Sequence, residues 1–278
     1  MTPFRALVAV AALVMAFPAA AQDRRPSHCI AIADAAPGIE YLHKASFREP
    51  PADEFTVRIS YVDHAMFLIQ SAGGLSAVTD YSGFIGPVDF VPDVVTMNNA
   101  HSTHWTSVPD PRIPHVLPGW ADFGAAADHA LDLDEMYVRN VPTDVRSGFG
   151  DGVRENGNSI FVFEVAGLCI GHLGHLHHEP DDAQYAALGR LDVVMAAVDG
   201  GLTLDLPTMI RVLDRLRSSV VIPMHWFGPS SLERFLSGMA AEGFVVERDL
   251  GTSIEVSLRT LPSQPTVMVL QPRYLADD

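Results

Sequence analysis

Short apolar or alternating segments, separated by Gly, Pro and Asp turns, dominate the chain. Apolar and polar side chains alternate over residues 55 to 61, an apolar run covers 65 to 69, and another segment covers 75 to 79 after Gly73-Gly74. A period of two is typical of strands, and two glycines between strands indicate a tight turn. The pattern therefore predicts an antiparallel meander near the start of the folded region.

The later part of the chain interleaves buried-type strands with amphipathic helices. Apolar spacing predicts helices at 207–216 and 231–239, with Pro207 suited to the first helical turn. No internal repeat follows the first residues, so one domain is the economical interpretation. Strands in series followed by strand–helix alternation predict stacked α/β layers. The predicted strands of this part are 94–97, 160–165, 168–170, 192–198 and 220–223.

The amino terminus has the plan of an export signal. Arg5 precedes an apolar run, and small residues follow up to Ala21. Because the run is shorter than the ~20 residues needed to cross a bilayer, we expect cleavage after Ala21 rather than a membrane anchor. This predicts a signal peptide at 1–21, an N-terminal extension at 22–54 and a folded domain at 55–278. The mature protein would be periplasmic or secreted, with no membrane span after cleavage.

Composition limits the partners. Of 278 residues, 48% are hydrophobic, which is enough to bury a core and excludes intrinsic disorder. Eighteen Lys and Arg against 34 Asp and Glu give a net charge of −16, and such a surface repels phosphate backbones. We therefore expect a small-molecule substrate and no nucleic-acid partner, while the oligomeric state stays open.

The two cysteines, Cys29 and Cys169, have two interpretations. In an oxidising compartment they can pair, and a bridge closing so long a loop would add roughly 4 kcal/mol in the chain-entropy model. Alternatively, Cys169 is a buried small hydrophobe, because it lies in an apolar segment.

Most candidate metal ligands in the sequence are histidines. The chain has 12 His, and four of them lie between residues 172 and 178. Imidazole is the commonest transition-metal ligand, and side chains at strand ends gather at one edge of layered folds. Asp199 is equally explained as a cap of its own Gly-rich turn. The groups that follow predicted strands, and so predict a metal site, are His101, His104, His175, Asp199 and His225.

Six short motifs follow one another in order. They are Asp63-His64-Ala65-Met66-Phe67, Thr79-Asp80-Tyr81, residues 99 to 104, Gly167 to Leu176, Val198 to Thr203, and Val221-Ile222-Pro223-Met224-His225. This order resembles the metallo-β-lactamase superfamily, nearest to lactonase-like hydrolases with a His-Leu-Gly-Asp-Leu loop and an Ile-Pro-Met-His end. The resemblance covers about residues 55 to 260. It implies a four-layer αββα sandwich with metals at the edge of the two sheets, and a metallo-β-lactamase-like domain at 55–278.

The chain departs from the superfamily's ligand pattern. The hallmark His-x-His-x-Asp-His reads Asn-Ala-His-Ser-Thr-His at residues 99 to 104. The His expected before the strand at 160 has no counterpart, and the bridging Asp is His175. The resemblance therefore implies a metal set of His101, His104, His175 and His225, with His175 as a replacement ligand.

This ligand set favours one zinc per chain, although another divalent metal would also suit it. Two neighbouring cations need anionic bridging to offset their repulsion, and both family carboxylates are replaced, by Thr103 and His175. We expect His104, His175 and His225 to hold the ion, with His101 as a fourth or alternating ligand.

The implied reaction is attack by a zinc-activated water on an ester, lactone or amide bond of a small molecule. Asp80, His177 and His178 are candidate proton shuttles, while His64 and His172 are expected to orient loops or ligands. Two alternatives stay open. One is a catalytically inactive metal- or ligand-binding relative, and the other is a metal-handling protein that uses its histidines for copper or nickel.

Overall fold

The computed structural model describes residues 24–31, 46–121, 124–147 and 152–277. The predicted signal peptide at 1–21 lies outside the described residues, and the extension at 22–54 is described only in part. Both boundaries stay predictions. The elements of the described part are β1 (Val57–Asp63), β2 (Met66–Ser71), β3 (Ser76–Val78), β4 (Val94–Met97), β5 (His115–Pro118), β6 (Ala130–Asp132), β7 (Met136–Arg146), β8 (Val153–Val165), β9 (Leu168–His172), β10 (Val193–Ala197), β11 (Val220–Met224), β12 (Val245–Glu247), β13 (Ser253–Val256) and β14 (Thr266–Met268), with helices α1 (His28–Ala31), α2 (Asp182–Leu188), α3 (Leu206–Leu216) and α4 (Pro229–Ala241).

The strands form two sheets. The first has the order β13-β1-β2-β3-β4-β5, and the second has the order β12-β14-β11-β10-β9-β8-β7-β6. Strands β1 to β3 make the predicted antiparallel meander, which pairs Ile59 with Ile69. Strands β9, β10, β11 and β14 run parallel. The carboxyl ends of these parallel strands therefore open onto one edge of the second sheet.

The main core lies between the two sheets. It contains inward side chains such as Ile59 and Phe67 from the first sheet, and Phe161, Met195 and Ile222 from the second. Strands such as β2 and β10 are buried along their whole length, because each is covered on both faces, and this explains why their sequences are continuous apolar runs.

The outer faces of the two sheets are covered differently. Helices α3 and α4 pack on the second sheet through Met209 and Phe235. The outer face of the first sheet is covered, in the described part, by loop side chains such as Ile85, Ile113 and Trp105. The predicted metallo-β-lactamase-type sandwich is confirmed, with loops in the layer outside the first sheet.

The N-terminal segment is fastened to the second sheet. Cys29 and Cys169 form a disulfide, with Cα atoms 5.8 Å apart, so the pairing that the sequence left open is present. Next to it, Glu164 accepts hydrogen bonds from the Ser27 hydroxyl and from Arg139 Nε. Within the described residues, no helix combines the length and the apolar character that a membrane span requires.

Candidate metal centre

Loops from both sheets meet at one edge of the sandwich. The first sheet contributes the β1–β2 turn and the segments that follow β3 and β4, and the second contributes the segments that follow β9, β10 and β11. Four of these loops bring His104, His175, Asp199 and His225 together, as the sequence predicted. The centroids of the three imidazole rings lie close, with 4.7 Å between His104 and His175 and 5.3 Å between His175 and His225.

Two buried imidazoles face each other at the centre of this edge. The Nε2 atoms of His104 and His225 lie 3.2 Å apart. His104 Nδ1 lies 2.7 Å from Asp80 Oδ2. His225 Nδ1 lies 3.0 Å from Asp199 Oδ2, at ion-pair distance but without the alignment of a hydrogen bond. Each carboxylate favours the ring proton on Nδ1, so the two Nε2 lone pairs converge.

The two carboxylates are buried but remain charged near neutral pH. Burial raises the pKa of Asp80 to about 6, against the lowering effect of His172 and of the Asn98 amide. Burial would also raise the pKa of Asp199, but the adjacent His225 ring and the hydrogen bonds from Thr203 and Gly201 outweigh it and hold the pKa below its usual value. Two negative charges therefore lie behind two buried imidazoles.

Lowered pKa values keep three imidazoles of the cluster neutral. Burial, reinforced by the neighbouring His225, lowers the pKa of His104 well below its ordinary value. Burial likewise lowers the pKa of His64 to about 3 and that of His175 to about 2. Neutral imidazole is the form that binds a metal.

Two groups of three histidines have ring nitrogens close enough to share a metal ion, and both include His104. In one group, nitrogens of His64, His104 and His225 lie within 4.8 Å of one another, and in the other the same holds for His101, His104 and His175. Because Asp80 occupies His104 Nδ1, only His104 Nε2 is left to bind a metal, and one lone pair serves one ion. The shared residue therefore favours one metal per chain.

A turn in the left-handed region presents His64 to the cluster. His64 (φ 42°) lies between β1 and β2, and its ring centroid is 4.0 Å from that of His225. The His64 carbonyl accepts hydrogen bonds from the Tyr61 hydroxyl at 2.6 Å and from the His225 backbone amide at 2.9 Å. Main-chain contacts thus hold His64 against His225. Sequence reasoning gave His64 only a supporting role, because one His in a turn carries no signal of its tertiary neighbours.

A directional chain of hydrogen bonds ends at His175. The Arg146 backbone amide donates to His177 Nδ1 at 2.8 Å, and His177 Nε2 lies 2.7 Å from His175 Nδ1. Burial lowers the pKa of His177 to about 4, helped by Arg146. The predicted shuttle His177 is therefore connected to the cluster through His175.

The other predicted site residues occupy different positions. Asp80 lies behind His104, with Oδ1 accepting from the Asn98 amide at 2.8 Å. His101 is exposed at the border of the cluster, with a ring nitrogen within 4.8 Å of nitrogens of His104 and His175, and its Nδ1 lies 3.1 Å from Thr103 Oγ1. His178 Nε2 is buried without a hydrogen-bond partner in the described part of the chain. Shuttle roles for Asp80, His177 and His178 stay predictions.

Buried amides tie the two ligand-bearing sheets together. Asn98 Nδ2 donates to the Ser159 carbonyl at 2.8 Å and lies 3.1 Å from His172 Nδ1. His172, in turn, has Nε2 2.7 Å from the Ala65 carbonyl. Asn158 Oδ1 accepts the His175 backbone amide at 2.9 Å. These bonds position the loops that carry His104 and His175, and His172 has the supporting place that the sequence predicted.

Aromatic side chains border the cluster. Phe227 is exposed, and its ring lies 5.4 Å from His64 and 5.3 Å from His225. Trp226 packs against Tyr61 with ring centroids 5.5 Å apart, and Trp105 packs against Trp120 at 5.6 Å. Both tryptophans join hydrophobic clusters, so Phe227 is the aromatic side chain that faces solvent beside the imidazoles.

A family model described as the beta-lactamase superfamily domain matches residues 58–225. That range is more than half of the chain and contains all members of the histidine and aspartate cluster. The chain belongs to the metallo-β-lactamase superfamily. Comparison with curated protein sequences gave no match.

Two solved structures of metal-dependent hydrolases share the fold. A Thermotoga maritima protein assigned to this superfamily as a zinc-dependent hydrolase is 25% identical, with a TM-score of 0.54, covering 77% of this chain and 100% of that chain. Igni18, a metallo hydrolase from Ignicoccus hospitalis, is 17% identical, with a TM-score of 0.51, covering 80% of this chain and 97% of its own. The second likeness shows the fold alone.

The residues present suit a divalent metal. With their protons on Nδ1, His104 and His225 direct two Nε2 lone pairs to one place that a cation can occupy, and the charges on Asp80 and Asp199 balance a doubly charged ion. Imidazoles backed by carboxylates are a recurrent way to orient metal ligands in proteins. The metal-binding character expected from the superfamily is therefore compatible with the side chains of this chain.

Proposed function

We propose that this superfamily member is a metal-dependent hydrolase that binds one divalent ion, zinc by preference, and cleaves an ester, lactone or amide bond of a small molecule. The observation that carries the proposal is the His104–His225 pair, buried and backed by Asp80 and Asp199. A zinc ion bound there would supply Lewis acidity for carbonyl chemistry and lower the pKa of water.

The chain's own residues would prepare this site. His104 and His225 bind the ion through Nε2, while Asp80 and Asp199 hold the ring protons on Nδ1. The exposed ring of Phe227 stands next to His64 and His225, where it can cover an apolar part of a substrate and exclude water from one side.

We also propose that the protein is exported to the periplasm or secreted. The apolar run before Ala21 supports a cleaved signal. The disulfide between Cys29 and Cys169 supports an oxidising compartment, because such bonds are rare where thiols are kept reduced.

Metal content and hydrolysis, measured on the same preparations, test the proposed function. We expect about one zinc per chain by mass spectrometry of the metal, and turnover of a panel of carboxylic esters and lactones that stops on chelation and returns with zinc. His225→Asn should lose both, because Asn tolerates the left-handed backbone of this residue (φ 59°) but offers no imidazole.

The matched control is His115→Asn. His115 lies on β5, where it pairs with Val94 at the amino end of β4, while the site follows the carboxyl end of β4. This variant should keep both metal and turnover. Zinc uptake without turnover of any carbonyl substrate would favour the inactive metal-binding relative, and a chain that takes up no divalent metal would refute the proposal.

A further inference from the structure

Hydrogen-bond direction decides which histidines can offer a lone pair to a metal. A neutral imidazole has one N–H and one lone pair, so a nitrogen that accepts a hydrogen bond fixes the proton on the other nitrogen. The backbone amide of Arg146 can only donate, and it points at His177 Nδ1. His177 Nδ1 is therefore the acceptor, and His177 Nε2 carries the hydrogen.

The same rule applied one residue further determines the state of His175. His177 Nε2–H donates to His175 Nδ1 across 2.7 Å, so the lone pair of Nδ1 is used and the proton of His175 lies on Nε2. Coordination of a metal through His175 Nε2 would require Nδ1 to donate to His177. That residue would then accept at both nitrogens, which a neutral imidazole does not do.

The ring of His64, unlike that of His175, is not held in one tautomer by a hydrogen bond. Neither nitrogen of the His64 ring makes a hydrogen bond with the described residues, and one of them lies within 4.8 Å of the ring nitrogens offered by His104 and His225. Its ring lies closer to His225 than that of His175 does, with centroid distances of 4.0 Å and 5.3 Å. A lone pair of His64 is therefore available to a metal ion bound between His104 and His225.

We propose that His64 completes the metal-binding triad with His104 and His225, and that His175 serves as a fixed N–H donor beside the ion. This assignment rests on the proposed metal site and revises the expected ligand set, in which His175 was a ligand and His64 was not. The Nε2–H of His175 is then the one polar atom of its ring left for a bound molecule. It suits the oxygen of a polarised carbonyl or of an anion.

Metal affinity of four variants tests the assignment. We expect His64→Asn and His104→Asn to weaken zinc binding by more than the ~10–100-fold that loss of a supporting group costs. His175→Asn should stay within about 3-fold of wild type, as should the control His115→Asn. Affinity is measured by competition with a chromophoric chelator, and circular dichroism of the metal-free proteins checks the fold. Asn at residue 64 keeps the left-handed backbone (φ 42°) and the carbonyl contacts.

Nitrogen-15 NMR of the histidine rings in metal-free wild type gives a readout that needs no variant. We expect His175 and His177 to show the Nε2–H tautomer, with Nδ1 shifted as a hydrogen-bond acceptor. In His177→Phe the donor to His175 is lost, and we expect His175 to become a mixture of tautomers.

The outcomes separate this assignment from the proposed function. A wild type that takes up no metal overturns both. If wild type binds zinc but His175→Asn loses it as His104→Asn does, or His64→Asn binds like wild type, then the triad is wrong and the metal site stands. An Nδ1–H tautomer at His175, or no change of its tautomer in His177→Phe, overturns the donor role.

Discussion

The two carboxylates behind the imidazoles are held in different ways. Asp199 Oδ1 accepts the backbone amides of Gly201, Leu202 and Thr203, while Oδ2 accepts the Thr203 hydroxyl. Among the described residues, Asp80 accepts a hydrogen bond from the Asn98 amide on Oδ1 and contacts His104 through Oδ2. Asp199 thus organises its own loop, as its alternative interpretation as a turn cap requires, and also faces His225. Asp80 acts on His104 with little other structural duty.

Asp80→Asn therefore tests ligand orientation with limited risk to the fold. The amide retains one oxygen for the Asn98 backbone amide but loses the charge that keeps the His104 proton on Nδ1. We expect zinc affinity to fall by about 10–100-fold, as for other supporting partners of metal ligands, with little change in the urea midpoint of the metal-free protein. Titration against a chelator measures the affinity.

Asp93→Asn is the matched control for Asp80→Asn. Asp93 also accepts a backbone amide in the first sheet, from Ser76 at 2.8 Å, but lies before β4 rather than at the site. Its zinc affinity should equal that of wild type. Equal affinities for Asp80→Asn and wild type would show that His104 needs no carboxylate.

Residue-level prediction from the sequence succeeded where the signal was local. His225 directly follows an apolar strand, and His104 lies in the polar stretch that follows another. Strand ends converge in layered folds, so the meeting of the two residues was predictable. The contacts of His64 depend on the amide of His225 donating to a carbonyl far away in sequence. The relay from Arg146 through His177 joins separate loops in the same way. No periodicity reports such pairings, so the distinction between ligand and donor requires the structure.

At the level of elements, the turn after β9 packs closely against the loop that follows β4. Gly174 (φ +62°) precedes His175, and a Cβ there would lie 2.5 Å from Asn98 Nδ2 and 2.6 Å from Asn158 Oδ1. Those two amides hold the loops after β4 and β9. The absence of a side chain at Gly174 lets the His175 loop pack against the β4 loop.

Gly174→Ala should therefore disturb both loops at once. A left-handed backbone costs an Ala about 1 kcal/mol, and overpacking a buried position costs a further ~1–3 kcal/mol. We expect the free energy of unfolding to fall by about 2–4 kcal/mol in urea titrations, together with weaker zinc binding.

Gly251→Ala separates the two costs. Gly251 also has a positive φ (+78°), but its added Cβ would meet no atom within 4 Å. Gly251→Ala should therefore lose only the free energy of unfolding due to the left-handed backbone, about 1 kcal/mol, and should keep the zinc affinity of wild type. If both variants lose the same free energy, the close approach of Asn98 and Asn158 to Gly174 imposes no constraint.

Element prediction failed where burial varies along a strand. Strand β8 begins at Val153, whereas the sequence predicted a strand from residue 160. The first part of the strand was missed because most of its side chains are polar and its first residues are exposed, so it carries no apolar pattern. Its partner β7 alternates unevenly and contains Pro142, so its sequence does not read as a strand. Tertiary pairing between β7 and β8 overrides these weak local preferences.

At the scale of the whole molecule, the two sheets meet at the site through the loops that follow their strands, and the opposite end of β9 is tied to the N-terminal segment. Cys29 is bonded to Cys169 at the start of β9, whereas the imidazoles follow its carboxyl end. Ser27 and Arg139 both donate to Glu164 beside this bond. The tether therefore bears on the stability of the fold rather than on the arrangement of the metal ligands.

Removing the disulfide should lower stability without altering the site. The bond joins residues 140 apart in the chain, for which the chain-entropy model gives roughly 4–5 kcal/mol of stabilisation. We expect the double variant Cys29→Ser/Cys169→Ser to lose up to that free energy in urea titrations and to bind zinc as wild type does.

Dithiothreitol should destabilise wild type and leave the double variant unchanged, and wild type recovered from the cell envelope should contain no free thiol. A double variant as stable as wild type would mean that the disulfide contributes nothing to stability, and free thiols in the exported protein would contradict the oxidising compartment.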